Sequence, residues 1–325
     1  MEDGAFTFTP KNNNVISYST DNGKTWTEGN SVEVSNGDKV MWKGTMTPSS
    51  NGIGKFGASG NFDVQGNIMS LLFGDNYKGQ TDLTGKNYAF YNLFSGNTKV
   101  VNAENLSLLA TTLANSCYNS MFSGCTNLIS TPELPATTLG RGCYYSMFYG
   151  CTSLTIAPQL PATTLARFCY DQMFMSCTSL TTAPELLATA SLNNNIEEIG
   201  FIYESMFENC TNLVYGPSIL PITTVDSNSY NRMFMNCVNL ERAPEILATN
   251  IAYSSYTEMF SGCSKVNRIK HMLLSYPANP TYQPGLWVNG VSATGTFIKN
   301  ASMTNEWSVG VNGIPTGWTV ETASE

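Results

Sequence analysis

Residues 143–165 read CYYSMFYGCTSLTIAPQLPATTL, and versions of this segment recur through the middle of the chain. Its Met-Phe pair occurs in six copies, whose first residues are Met121, Met147, Met173, Met206, Met233 and Met259. A variant pair, Leu93-Phe94, precedes them, and the steps between successive units are 28, 26, 26, 33, 27 and 26 residues. The long step coincides with a polar insertion at 193–199, which we expect to form a loop. A period of this length is typical of proteins built from stacked repeats.

Two further positions repeat in register with the Met-Phe pair. A cysteine comes four residues after each Met, at Cys125, Cys151, Cys177, Cys210, Cys237 and Cys263, and the variant unit has Asn97 there. A leucine follows in the first five units, at Leu128, Leu154, Leu180, Leu213 and Leu240, and Val266 replaces it in the sixth. One such unit cannot bury its own apolar side chains, but units stacked about 4.8 Å apart bury a continuous core.

The unit divides into three segments with different expected structures. We predict a short helical turn for Cys-Tyr-x-x-Met-Phe, whose tyrosine lies three residues before the Met and would face the core. We predict a short strand for Leu-Thr-x-Ala. The Pro-x-Leu-Pro segment should be an extended bend, because proline has no amide hydrogen and stops strand pairing.

The motif resembles the BspA-type leucine-rich repeats of bacterial surface proteins, in which a Phe, a Gly-Cys-Thr/Ser and a Leu-Thr recur. Residues 121–128 (MFSGCTNL) and 147–154 (MFYGCTSL) carry this resemblance, which covers about 90–270. Two features depart from it: the Pro-Ala-Thr-Thr segment lengthens each unit, and Gly is replaced by Ser176, Asn209 and Asn236. The resemblance implies a leucine-rich-repeat-like solenoid, and it implies no specific ligand.

The flanks of the repeat predict β structure at both ends. Residues 1–65 alternate polar and apolar side chains between turn signals, which indicates a small antiparallel β domain. We expect 66–91 to be a linker and N-terminal cap, and 92–271 to be the solenoid of about seven units. The Gly-, Pro- and Trp-rich segment 272–325 should be a β-hairpin cap that covers the exposed end of the last unit.

A single Asp-box motif lies in the first domain, at residues 19–26 (STDNGKTW). Its aspartate can accept hydrogen bonds within its own turn while the Trp packs beneath, so we expect it to stabilise a hairpin. A sialidase-like propeller would need several copies and a group of arginines around a carboxylate. The arginines lie in the repeats instead.

Nine cysteines are present: the six in the motif and three that lie four residues before a Met, at Cys117, Cys143 and Cys169. Their odd number and regular register favour buried free thiols over a disulfide framework. Occasional disulfides between adjacent units and a zinc site are the alternatives. Zinc sites normally use Cys-x-x-Cys or Cys/His pairs, and the chain has one histidine. We therefore expect no metal and no cofactor.

Charge and composition restrict the partners and the location. The net charge is −8 and only 12% of residues are charged, which opposes binding to nucleic acid or to anionic membranes. No apolar run is long enough to insert into a membrane, and the first residues, MEDG, lack signal-peptide features. We expect an extracellular or cell-surface protein whose leader has been removed, or else a virion protein. The ligand and the oligomeric state stay open.

Catalytic residues are scarce in the sequence. The histidine, His271, has no nucleophile motif beside it and should be a surface or junction residue. One stripe of polar side chains follows a proline in consecutive units: Glu133, Gln159, Glu185, Ser218 and Glu245. Acids in alternate units would lie about 10 Å apart, which is wide even for an inverting glycosidase, and no basic partner is evident. This stripe is either a solvated surface or a ligand contact.

A second stripe comes two residues after the Met. Its candidate contacts are Tyr149, Met175, Glu208 and Met235, with Ser123 and Ser261 at its ends. Their identity varies while the surrounding motif repeats, as expected of a recognition surface, although ordinary surface residues would vary too.

The combined pattern predicts a non-enzymatic binding or adhesion module. It would recognise a host or bacterial surface protein or a glycan through a repeat face. A phage or virion structural or receptor-binding protein is one alternative. A carbohydrate-active enzyme is the other.

Overall fold

The computed structural model describes residues 3–191 and 200–324, and strands far outnumber helices there. In these residues the only α-helix, α1, is one turn long at Ser70–Phe73. Short 3-10 helices lie at Gly74–Asn76 and Pro280–Tyr282. No described helix has the length and hydropathy needed to span a bilayer. The polar insertion at 193–199, expected to be a loop, lies outside the described residues.

The first six strands form two antiparallel sheets of three strands. They are β1 (Gly4–Pro10), β2 (Ile16–Ser19), β3 (Thr27–Glu28), β4 (Ser31–Val34), β5 (Met41–Gly44) and β6 (Gly54–Ala58). One sheet has the order β4-β1-β6 and the other β3-β2-β5. The ring of Phe56 stacks on Phe94 of the first repeat unit, with 5.4 Å between ring centroids. The N-terminal strands therefore pack directly on the start of the repeats.

Eleven short strands follow in the described residues, and they pair in parallel. They are β7 (Phe62–Asp63), β8 (Gly66–Asn67), β9 (Val100–Asn102), β10 (Leu106–Ser107), β11 (Thr164–Leu165), β12 (Ala190–Ser191), β13 (Ile219–Leu220), β14 (Glu245–Ile246), β15 (Arg268–His271), β16 (Thr296–Lys299) and β17 (Thr319–Thr322). Three pairs form two-stranded sheets, and β13 to β17 form one sheet in sequence order. Parallel pairing at the repeat period places equivalent residues of neighbouring units side by side.

The segment around each Met-Phe pair consists of consecutive tight turns rather than a helix. Every fourth residue has a left-handed backbone, and in one unit these residues are Gly142, Ser146 and Gly150. The Phe148 amide donates to the Met173 carbonyl of the next unit at 3.0 Å, whereas the Met147 amide donates to Tyr144 of its own unit at 3.1 Å. The predicted helical turn is wrong, because a helix keeps its amide bonds within itself. We call residues 142–151 and their equivalents the turn ribbon.

The last left-handed position of the turn ribbon explains the glycine of the motif. Gly150 has a φ of 68° there, and in later units Ser176, Asn209 and Asn236 have φ values of 61° or 62°. A left-handed backbone costs a residue with a Cβ roughly 1–2 kcal/mol, and asparagine tolerates it better than most. The exchanges of Gly for Ser or Asn therefore preserve the backbone of the turn.

Strand pairing continues through the proline-rich segment. Leu160 forms a parallel bridge with Leu186, and β13 pairs with β14. The prediction that the prolines end hydrogen bonding here is wrong, because the residues next to them form backbone hydrogen bonds between units. The Glu245 amide, next to Pro244, donates to the Ser218 carbonyl at 3.1 Å.

Residues 272–324 continue the parallel pairing of the units before them. Strands β15, β16 and β17 lie side by side in parallel, so the predicted β-hairpin is wrong. The Phe260 amide donates to the Trp287 carbonyl at 2.7 Å, a bond that earlier units make to a Met carbonyl. Trp287 therefore takes the Met position. The period is hidden in the sequence because Trp287-Val288 replaces Met-Phe.

Side chains from equivalent positions stack in columns through the repeat. Phenylalanine rings lie 5.2–5.7 Å apart and within 10° of parallel, at Phe94, Phe122, Phe148, Phe174, Phe207, Phe234 and Phe260. Tyrosine rings form a second column with centroids 5.7–6.0 Å apart, at Tyr118, Tyr144, Tyr170, Tyr203, Tyr230 and Tyr256. The Met, Cys and Leu residues of the motif are also buried. The repeating residues thus build the core.

Candidate binding surface

The motif cysteines act as hydrogen-bond donors inside the core. Each thiol lies 3.0–3.2 Å from the Phe carbonyl oxygen of the unit before, for Cys125, Cys151, Cys177, Cys210, Cys237 and Cys263. In the variant unit the Asn97 amide makes the corresponding bond to Phe56 at 3.2 Å. Burial raises the pKa of Cys210 to about 12. All nine thiols are free and buried, and protonated thiols of this kind are poor nucleophiles.

His271 is fully buried at the junction between the repeat and the C-terminal segment, so of the two expected positions, surface or junction, the structure shows the junction. Its ring lies 5.1 Å from Tyr256 and 5.3 Å from Trp307, measured between centroids. The Leu273 amide donates to its Nδ1 at 3.1 Å. Burial lowers the pKa of His271 to about 3. The imidazole is neutral at physiological pH and packs as an aromatic side chain.

The Asp-box closes its own turn through hydrogen bonds. Asp21 Oδ1 accepts from the amides of Lys24 and Thr25 at 3.0 Å, and Asp21 Oδ2 accepts from the Thr25 hydroxyl at 2.6 Å. These bonds, led by the Thr25 hydroxyl, lower the pKa of Asp21 to about 2. The Trp26 indole N–H donates to the Gly23 carbonyl at 3.2 Å. The side chains of Asp21, Thr25 and Trp26 all bond within the turn, which fits a structural role.

The first stripe runs along the surface of consecutive units. Its members are Glu133, Gln159 and Glu185, which are exposed, and Ser218 and Glu245, which are half-buried. Glu185 accepts hydrogen bonds from the Ser218 amide at 2.9 Å and from its hydroxyl at 2.6 Å. Glu245 forms an ion pair with Lys270 at 2.9 Å, a basic partner that the sequence did not reveal. Two of the three carboxylates are thus held by neighbouring units.

The second stripe is less exposed than its sequence variation suggests. Tyr149 is exposed, whereas Met175 and Met235 are half-buried and Glu208 is buried. These residues lie on the turn ribbon, where each stacked unit covers part of the next. Tyr149 is therefore the member best placed to contact a partner.

A cluster of charged side chains lies on the turn ribbon. Of its members, only Glu208 belongs to one of the two stripes. The cluster comprises Asp171, Glu204, Glu208, Arg232 and Glu258, and we call it the carboxyl cluster. Asp171 is only 3% exposed, and its Oδ1 has no hydrogen-bond partner in the described part of the chain. Burial, and then the nearby Glu204, raise the pKa of Asp171 to about 8. Burial raises the pKa of Glu204 to about 7, against the opposing effect of Arg232.

The register of the repeat brings the two raised-pKa acids together. Asp171 and Glu204 each lie two residues before a Met, and the Gln172 amide donates to the Glu204 carbonyl at 2.9 Å. The sequence could have indicated this position, because its residue varies between units while the motif around it repeats: Asn119, Tyr145, Asp171, Glu204, Asn231 and Thr257. Across residues 3–191 and 200–324, no three His, Cys, Asp or Glu side chains are grouped to hold a metal ion.

A second surface that the sequence did not single out follows the motif leucines. It consists of the residue two places after each Leu, or after Val266: Ser130, Ile156, Thr182, Tyr215, Arg242 and Arg268. Parallel bridges join Ile156 to Thr182, Thr182 to Tyr215 and Tyr215 to Arg242. Ile156 is 74% exposed and Tyr215 is 52% exposed. We call this surface the strand face.

A shallow depression connects the strand face with the first stripe. It has a volume of about 130 Å³, and its lining includes Ile156, Thr182, Gln159 and Pro184. The exposed Gln159 amide therefore lies beside an exposed aliphatic side chain. This arrangement offers both hydrogen bonds and apolar contact to a ligand.

Comparison with known proteins gives no match. No protein-family model, curated protein or solved structure is significantly similar to the chain. Its function has to be inferred from its own residues.

Proposed function

We propose that this protein is a non-enzymatic binding module whose repeat units form a leucine-rich-repeat-like solenoid of the BspA type. Its partner would be a host or bacterial surface protein or a glycan, and the module would be displayed outside the cell. The ligand would lie across the strand face and the neighbouring first stripe.

The exposure of Ile156 and Tyr215 carries this proposal. Leaving a large apolar side chain in water forgoes roughly 1.5–3 kcal/mol of burial free energy. Two such side chains stand in register on one surface, two units and therefore about 10 Å apart. Exposed apolar groups rimmed by polar ones mark interaction sites, and tyrosine is a frequent anchor residue in interfaces.

The positions of the reactive side chains also support binding over catalysis. The thiols and the imidazole are buried and neutral, and they hold the core together. The strand face instead offers side chains that recognise ligands by shape and hydrogen bonding. Parallel pairing and the aromatic columns support the solenoid, since both place each unit on the next.

Capture experiments with two surface variants test the proposal. The chain, the double variant Ile156→Asn with Tyr215→Ser, and the control Val309→Asn would be incubated with intact bacterial and animal cells. Val309 is 71% exposed and lies outside the strand face, so its variant matches Ile156→Asn in chemistry. We expect the double variant to lose cell binding by at least 10-fold and the control to keep it. Equal binding by all three proteins would refute the strand face as the binding surface.

A further inference from the structure

One end of the strand face carries positive charge on a chain that is acidic overall. Arg242 and Arg268 hold the same register position in consecutive units, directly after Tyr215. Both arginines are exposed, and neither side chain forms an ion pair or hydrogen bond with any described residue. Tyr215 and Arg242 form a parallel bridge, and Arg268 begins β15, which pairs in parallel with β14, the strand that follows Arg242. Two guanidinium groups can therefore approach the same ligand.

The carboxylates near this end are already neutralised. Glu241 pairs with Lys265 at 3.2 Å, and Glu245 pairs with Lys270 at 2.9 Å. These two pairs cancel in charge, which leaves Arg242 and Arg268 as the uncompensated charges. Such a local excess on a chain of net charge −8 is complementary to a small anionic group.

We propose that Tyr215, Arg242 and Arg268 bind an acidic glycan, a sugar chain that carries carboxylate or sulfate groups. This inference rests on the proposed function and names the ligand class for the same face. The planar guanidinium group donates two parallel hydrogen bonds to a carboxylate or a sulfate. The exposed Tyr215 ring supplies an apolar face for a sugar ring and a hydroxyl group for hydrogen bonding.

The charge distribution favours a glycan over a nucleic acid. Binding to a phosphate backbone depends on many basic contacts, and the chain has 16 Lys and Arg residues against 24 Asp and Glu residues. A polyanion would meet repulsion from the rest of the surface. A sugar with one acidic group per unit needs only the local pair of arginines.

Immobilised oligosaccharides of defined structure test the inference. Three arms share one backbone: a uronate-containing form, a sulfated form and a neutral form. The proteins are the unmodified chain, Arg242→Gln, Arg268→Gln and the double variant. Lys78→Gln is the control, because it removes one exposed positive charge far along the chain from the strand face. Arg242→Lys keeps the charge without the planar donor pair.

We expect the uronate-containing and sulfated sugars to bind at least 10-fold more tightly than the neutral sugar. Whichever of the two acidic sugars binds more tightly identifies the acidic group. Each Arg→Gln exchange should weaken binding about 10-fold, the usual loss for a hydrogen bond to a charged group. Arg242→Lys should recover only part of the affinity, and Lys78→Gln should bind normally. Added salt should weaken binding, because exposed charges are screened.

Equal binding to acidic and neutral arms would overturn the inference, as would unchanged binding by the double arginine variant. Tighter binding to DNA or to an acidic peptide would also overturn it. If Ile156→Asn with Tyr215→Ser abolishes cell capture while no acidic sugar is preferred, the proposed function survives and the glycan assignment fails. If neither cells nor sugars bind, both fail.

Discussion

Replacing the buried acid of the carboxyl cluster should make the protein more stable at high pH. Asp171→Asn substitutes a neutral amide of nearly the same size for a carboxyl group that is protonated in the folded state at pH 7. The pKa of Asp171 is raised from 3.8 to about 8, mainly by burial. In the unfolded chain the same group ionises near its ordinary pKa, so folding takes up a proton between these values.

The sign and size of the effect follow from this difference. A raised pKa in the folded state contributes stability that is fully present below pH 3.8 and is lost as pH rises towards 8. The loss amounts to about 1.4 kcal/mol per pH unit, with an upper limit of about 6 kcal/mol. Local opening that admits water would reduce the limit. Asp171→Asn cannot ionise and should escape this loss.

Urea unfolding at pH 4, 6, 8 and 9 would measure the effect. The variant should match the unmodified protein at pH 4 and exceed it by several kcal/mol at pH 9. Glu104→Gln, which removes an exposed carboxylate, should follow the unmodified protein throughout. A constant difference between Asp171→Asn and the unmodified protein at all pH values would refute the reasoning.

Three other predictions concern the core. Cys151→Ala leaves the Phe122 carbonyl without its donor and should cost about 1–3 kcal/mol in urea unfolding, whereas no change would exclude the thiol bond. A thiol reagent should find nine free groups in denaturant and react with almost none in minutes under native conditions; fewer than nine would reveal disulfides. His271 has its pKa lowered to about 3, so its contribution to stability is full above pH 6.5 and is lost as pH falls towards 3. The NMR shift of its ring protons should stay constant from pH 8 to 5, and a midpoint near 6.5 would place the imidazole in water.

The repeat could be recognised in the sequence because the residues that recur at its period are the ones that form the core. Met, Phe and Cys recur at fixed spacing, and these side chains are the ones found buried. The turn ribbon could not be read in the same way. Consecutive turns, each closed by a hydrogen bond between residues three apart, space apolar residues much as a short helix does. The sequence pattern therefore does not distinguish the two structures. Some left-handed positions are occupied by residues such as Gln172 and Glu258, whose identities do not predict that conformation.

The C-terminal units and the strand face were missed for different reasons. Trp287 fills the Met position with another large apolar side chain, which hides the motif while preserving the packing. The exposure of Ile156 and Tyr215 depends on how neighbouring strands pair, and periodicity alone does not determine it. The raised pKa of Asp171 likewise depends on burial and on a carboxyl group 33 residues away, at Glu204.

Site-specific photo-crosslinking would test most directly whether the strand face is the binding surface. A photoreactive phenylalanine analogue would replace Ile156 in one protein and Val309 in another, and both would be irradiated on intact cells. We predict covalent adducts from position 156 at several times the yield from position 309. Equal yields, or adducts from position 309 alone, would contradict the assignment of function to the strand face.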